Sequence, residues 1–218
     1  MAFPPRVVIL DFGGVLGLPQ DPERTAAMRE ICHLSAEEFP AVYNRHRLEL
    51  DRGTLDLRAY WRTILAEGGV EATEERVERL EREDTMGWTR LNRAVLEWSS
   101  ELQESGFRTA ILSNMPHGKL AFIRASPEFR WIEDFTVAIF SCDVGLVKPE
   151  PGIYRLCLKM LDAAPGECVF LDDGAANIEG ARAVGIPGMV FRSAREAASE
   201  IERRWGLPVR RLKEAHHG

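Results

Sequence analysis

Four apolar runs rich in β-branched residues constrain this chain more than any other feature. They are "RVVILDF" (6–12), "RTAILSN" (108–114), "FTVAIFS" (135–141) and "CVFLDD" (168–173), with a weaker fifth, "GMVFR" (188–192). Each is nearly continuous rather than alternating, the pattern of strands covered on both faces of a parallel sheet. Helical stretches separate them: "LNRAVLEWSSELQESG" (91–106), "PGIYRLCLKMLDA" (151–163) and "NIEGARAVG" (177–185). Strand following helix following strand predicts an α/β fold with a doubly wound parallel sheet. "ESGFRTAIL" and "AVGIPGMVF" supply the glycine stop of a helix and the strand that follows it.

Residues 18–88 break the rhythm. "DPERTAAMREICHL", "SAEEFPAVYNRHRLELDRG", "DLRAYWRTILAEGG" and "TEERVERLEREDT" are successive amphipathic patterns, opened by the start signals Asp21-Pro22, Ser35, Asp56 and Thr73. No strand pattern interrupts them. The expected organisation is an α/β core over 1–17 and 89–218 with a small helical insert over 18–88, placed after the first strand. Within the insert, Trp61 and Trp88 read as its core, and His33 as an ordinary helix residue.

The net charge of −6 gives no basic field for a nucleic acid backbone. No run approaches the roughly 18 apolar residues of a membrane span, and "MAFPPRVVIL" lacks a signal-peptide core. Cys32, Cys142, Cys157 and Cys168 show no CxxC spacing and read as small buried apolar residues of a reducing compartment. These features predict a cytoplasmic protein, monomer or homodimer, with no nucleic acid and no membrane partner. His216-His217 are assigned nothing.

Chemistry-bearing residues fall where an open α/β sheet places its ligands, just beyond the carboxyl ends of strands. Asp11 follows the first, Ser113-Asn114 the second, Lys148 lies in "GLVKPEP" beyond the third, and Asp172-Asp173 end the fourth. Singly, each is an ordinary turn former, cap or surface residue. Their order and common placement make a site. The set "DFGGVL", "ILSN", "VKPEPGIY" and "LDDGAANIEGA" resembles the haloacid dehalogenase-like hydrolase superfamily along essentially the whole chain. The insert resembles that superfamily's C1-type cap. The glycine pair and "KPEPGIY…DD…NIEGA" look most like the branch of α-D-glucose-1-phosphatase and the N-terminal phosphatase domain of soluble epoxide hydrolases.

The resemblance implies a phosphatase in which Asp11 is the nucleophile that forms an aspartyl-phosphate. Gly13-Gly14 would let the backbone turn sharply and approach a phosphate, with Gly14 in the anion-binding loop. Ser113, Asn114 and Lys148 would bind the phosphate, and Lys148 would also stabilise transition-state charge. Three neighbouring carboxylates call for a compensating cation, and Mg²⁺ suits hard oxygen ligands. By resemblance, Asp11, the main-chain carbonyl of Gly13 and Asp173 bind it directly, and Asp172 and Asn177 reach it through water. The implied ligand is a small phosphorylated metabolite.

One element of that pattern is absent. The superfamily's phosphatases carry an aspartate at position 13, which protonates the leaving oxygen and later activates water, help worth about 10²–10⁴ in rate. Here the residue is Gly13. Three readings follow: a metal-independent 2-haloacid dehalogenase, a weakly active protein that binds a phosphorylated ligand or a partner, or a phosphatase that draws its acid from elsewhere. The paired acids Asp172-Asp173 speak against the first, because the dehalogenases that the motifs resemble lack such a pair. The glucose-1-phosphatase-like branch also has glycine there, and sugar 1-phosphates have a comparatively good leaving group. His117, His46 and Asp51 are the candidate substitutes.

Overall fold

The computed structural model describes residues 5–214; His216-His217 lie outside them. Five strands form one all-parallel sheet in the order β3-β2-β1-β4-β5. The strands are β1 (Val7–Leu10), β2 (Arg108–Ser113), β3 (Val137–Phe140), β4 (Cys168–Asp172) and β5 (Gly188–Val190). β1 is central and carries no polar side chain. Val8 and Leu10 face one helical layer, whereas Val7 and Ile9 face the other, so every residue of the strand is buried.

After β1 come five helices, α1 (Pro22–Ile31), α2 (Phe39–Arg45), α3 (Arg47–Arg52), α4 (Leu57–Glu67) and α5 (Glu74–Gly87). α6 (Arg93–Glu104) leads back to β2, and α7 (His117–Ala125) connects β2 to the third strand. A short α8 (Ser141–Val144) and α9 (Pro151–Leu161) precede β4. α10 (Ala175–Ala183), α11 (Ala194–Trp205) and α12 (Arg210–Glu214) complete the described chain. No helix among the described residues is long and apolar enough to cross a membrane. The four cysteines are free and buried, as their lack of pairing spacing suggests.

The start signals of the insert act as caps. Asp21, Asp56 and Thr73 each accept a backbone N–H of the following turn, and Ser35 exchanges hydrogen bonds with Glu38 in a capping box. Two local readings need correction. The "SAEEF…LDRG" stretch is two helices, because the backbone departs from helical geometry at His46. His33 lies beyond the end of α1 with φ +53°. Its N–H reaches Glu30 O and that of Leu34 reaches Arg29 O, a Schellman ending with histidine where glycine is usual.

Helices α1–α5 own a separate apolar cluster built on Met28, Tyr43, Tyr60, Trp61 and Leu80. They join the sheet through a two-stranded neck. Gly17 pairs antiparallel with Leu91, flanked by Leu18 N–H to Arg90 O at 2.8 Å and Asn92 N–H to Leu16 O at 2.9 Å. Side-chain ties hold this layer over the carboxyl ends of the strands. Arg52 forks onto Glu150 at 3.0 and 2.5 Å, and the Ser141 hydroxyl donates to the Asp51 carbonyl.

Candidate active site

Asp11 leaves β1 in extended conformation, and its Oδ1 accepts the Phe12 N–H at 2.7 Å. The chain then closes a tight loop, with Gly17 N–H on Phe12 O at 2.7 Å. Gly14 has φ +74°, and a Cβ there would run into the Asp173 carboxylate. Only glycine lets the first and fourth strand ends approach this closely. Gly13 differs: φ −69° and ψ 129° suit any residue, but a Cβ would meet Trp88 Cζ3 at 3.2 Å.

Ser113 ends β2 and is 2% exposed; its hydroxyl lies 3.5 Å from the Asn114 carbonyl, too long for a good O–H···O bond. The Asn114 side chain is committed to the Lys148 backbone. It donates to Lys148 O at 2.9 Å and accepts Lys148 N–H at 2.8 Å, fixing the lysine across the gap between β2 and the β3 crossover. The Lys148 ammonium, 1% exposed, sits 2.8 Å from Asp11 Oδ1 and 2.6 Å from Asp172 Oδ2. Asp172 is oriented in turn by Gly174 N–H and Asn177 Nδ2, both at 2.8 Å to its Oδ1. Asn177 therefore acts on Asp172 from the first turn of α10.

The electrostatics follow from burial. Burial alone would push the Lys148 ammonium down, but Asp11 and Asp172 more than offset it and hold it above the ordinary lysine value. Burial lifts the Asp11 carboxyl to about 7, with Lys148 opposing and Asp172 adding to the rise. Burial and the neighbouring Asp172 also raise Asp173. Oxygens of Asp11, Asp172 and Asp173 lie within 4.8 Å of one another. Three carboxylates against one lysine leave excess negative charge, and all the donors are hard oxygens, so the set fits a small divalent cation such as Mg²⁺.

The expected replacements for an acid at position 13 fare unevenly. His117 is exposed at the start of α7, and His46 sits half-buried at the break between α2 and α3. Asp51 is 5% exposed and paired with Arg47 at 3.1 Å, and burial raises its carboxyl. Trp61 is fully buried in the insert's own core, as expected. Trp88 is not: it leaves α5 and lies against Gly13, its ring under the Lys119 ammonium at 4.6 Å. Lys119, on α7, is 5% exposed. No local signal marks it, because its burial comes from contacts with residues far away in sequence.

A family model described as haloacid dehalogenase-like hydrolase matches residues 5–185. Bifunctional epoxide hydrolase 2 of Rattus norvegicus is 36% identical over 115 residues, 52% of this chain and 21% of the relative. Sesquiterpene phosphatase astK of Aspergillus oryzae is 26% identical over 118 residues, 54% of this chain and 59% of the relative. The match thus spans only a fifth to about three fifths of these relatives. Among solved structures, a HAD family enzyme of Bacteroides thetaiotaomicron in complex with magnesium and inorganic phosphate superposes with TM-score 0.69. Its sequence identity is 19%, with coverage of 86% of this chain and 94% of that one.

Proposed function

Because the chain belongs to the haloacid dehalogenase-like hydrolase family, we propose that it is a Mg²⁺-dependent phosphomonoester phosphatase working through phospho-Asp11. The observation that carries this reading is the buried chain Asp11–Lys148–Asp172, with Asp173 completing an acidic cluster beside the nucleophile. The magnesium and phosphate held by the Bacteroides relative support it. In this reading Asp11, Asp173 and the Gly13 carbonyl hold Mg²⁺, which when bound lowers the repulsion between the incoming phosphoryl oxygens and the carboxylates.

The chain's own residues do the rest. Lys148 keeps Asp11 oriented and offers positive charge to the transferring phosphoryl group. The Ser113 hydroxyl, the Asn114 main chain and the Gly14 turn take phosphoryl oxygens. Asn114 holds Lys148 in place, and Asn177 holds Asp172. Residues 18–88 act as a cap that excludes water and selects a small phosphorylated metabolite, with a sugar phosphate favoured by its leaving group. The test is hydrolysis of p-nitrophenyl phosphate with Mg²⁺. We expect turnover that EDTA suppresses and that Asp11→Asn abolishes. Wild-type-like turnover by Asp11→Asn removes the mechanism, and metal-independent halide release from a 2-haloacid replaces it with dehalogenation.

A further inference from the structure

The proposed phosphatase lacks a proton donor at position 13, and the space is not empty. Trp88 fills it, one ring edge against Gly13 and its face beneath Lys119. The Lys119 Nζ stands 4.6 Å from the Trp88 ring centre and 5.5 Å from that of Phe12, so it overlies both residues that flank the missing side chain. Among the described residues it makes no ion pair within 4.0 Å, and no hydrogen bond is formed by its ammonium. This lysine is 5% exposed above aromatic rings that attract a cation, and its three N–H donors are free to meet a ligand.

We propose that Lys119 is the proton donor to the leaving oxygen, taking the role of the absent aspartate. This rests on the phosphatase reading above. In the first step an Asp11 carboxylate oxygen attacks phosphorus, and the bond from phosphorus to the ester oxygen breaks. The bond pair stays on that oxygen, which takes a proton from Nζ and departs as the alcohol, leaving a neutral amine. In the second step water attacks the phosphorus of phospho-Asp11. The amine accepts the water's proton, the acyl-phosphate bond breaks with its pair returning to Asp11, and inorganic phosphate leaves. Lys119 is then again an ammonium.

The surroundings suit both states. The charges that act on this amine are those of Arg47 and Asp51 on α3, Asp84 on α5 and Asp11 at the end of β1. Burial and Arg47 lower its pKa to about 8, while Asp84, Asp51 and Asp11 limit the fall. An amine so tuned is charged at neutral pH and gives its proton up far more readily than an exposed lysine.

The discriminating experiment compares p-nitrophenyl phosphate, whose leaving group needs no acid, with an alkyl phosphate such as glycerol 2-phosphate, in Mg²⁺. Lys119→Met is expected to lower kcat/KM for the alkyl ester by about 10²–10⁴ and for the aryl ester by less than ~10-fold. The wild-type alkyl profile should fall above a pH of about 8, and this limb should vanish in the variant. Lys119→Arg keeps the charge but holds its proton too tightly, so it should share the selective loss. The aryl turnover retained in either variant shows that the site is intact. Equal losses on both esters, or none, overturn the assignment. An inert wild type overturns the phosphatase reading, and the donor with it.

Discussion

Trp88 occupies the position that a side chain at residue 13 would need: a Cβ built on Gly13 comes within 3.2 Å of its Cζ3. The backbone at Gly13 is no obstacle, since its φ and ψ suit any residue. Gly13 and Trp88 therefore form a pair in which small accommodates large.

The pair predicts that restoring the acid is not neutral. Gly13→Asp should destabilise the protein by about 1–3 kcal/mol, because the ring must shift within a packed site. Combining it with Trp88→Leu should recover part of that loss. A denaturant double-mutant cycle is expected to give a coupling of about 0.5–3 kcal/mol, and additivity would mean the two positions are independent.

Gly14 offers a sharper case, because both conformation and space exclude a side chain. With φ +74° and the Asp173 carboxylate where a Cβ would go, Gly14→Ala must move the loop or the acid. We expect a loss of at least about 1–2 kcal/mol in chemical denaturation. Activity should fall further, and the thermal shift caused by Mg²⁺ should shrink. An unchanged shift would place the cation away from Asp173.

The sequence made some of this legible and concealed the rest, for physical reasons. Strands buried on both faces are written as apolar runs, so the runs over 6–12 and 168–173 contain β1 and β4, the second ending within one residue of its strand. Asp11, Ser113 and Asp172 are visible because a sheet's carboxyl edge collects polar residues that end such runs. Lys119 and Trp88 carry no such mark. Lys119 lies within "HGKLAFIRA", which reads as any helix, and Trp88 follows a helix at ordinary apolar spacing. Their roles arise only when the insert packs on α7, a contact between segments some thirty residues apart. The position of Asn114 was clear, but its side chain's attachment to Lys148 depends on the crossover after β3 returning to the same point.

That attachment has a measurable consequence. Asn114→Ala removes two hydrogen bonds, each worth about 0.5–1.5 kcal/mol, and frees the backbone that carries Lys148. Stability should drop by about 1–3 kcal/mol. If the side chain positions the lysine rather than gripping phosphate, kcat should fall more than the affinity for inorganic phosphate. A loss confined to phosphate affinity would assign it to binding instead.

The Asp11 carboxyl provides the pH dependence. Its ordinary value of 3.8 applies to the unfolded chain, whereas burial holds it at about 7 in the folded one. Below about pH 4 both states carry the proton, and the residue adds nothing to the balance. Between about 4 and 7 the unfolded chain ionises first, so the unfolded state binds fewer protons and stability falls as pH rises. Above about 7 both are ionised and the penalty is constant. Asp11→Asn cannot ionise, so in EDTA its thermal midpoint should gain on the wild type across this window and then hold a steady lead. Mg²⁺ should reverse the ranking at neutral pH, because it stabilises the ionised cluster of the wild type and finds one carboxylate fewer in the variant. A variant that gains nothing in EDTA between pH 4 and 7 would mean that Lys148 already neutralises Asp11 fully.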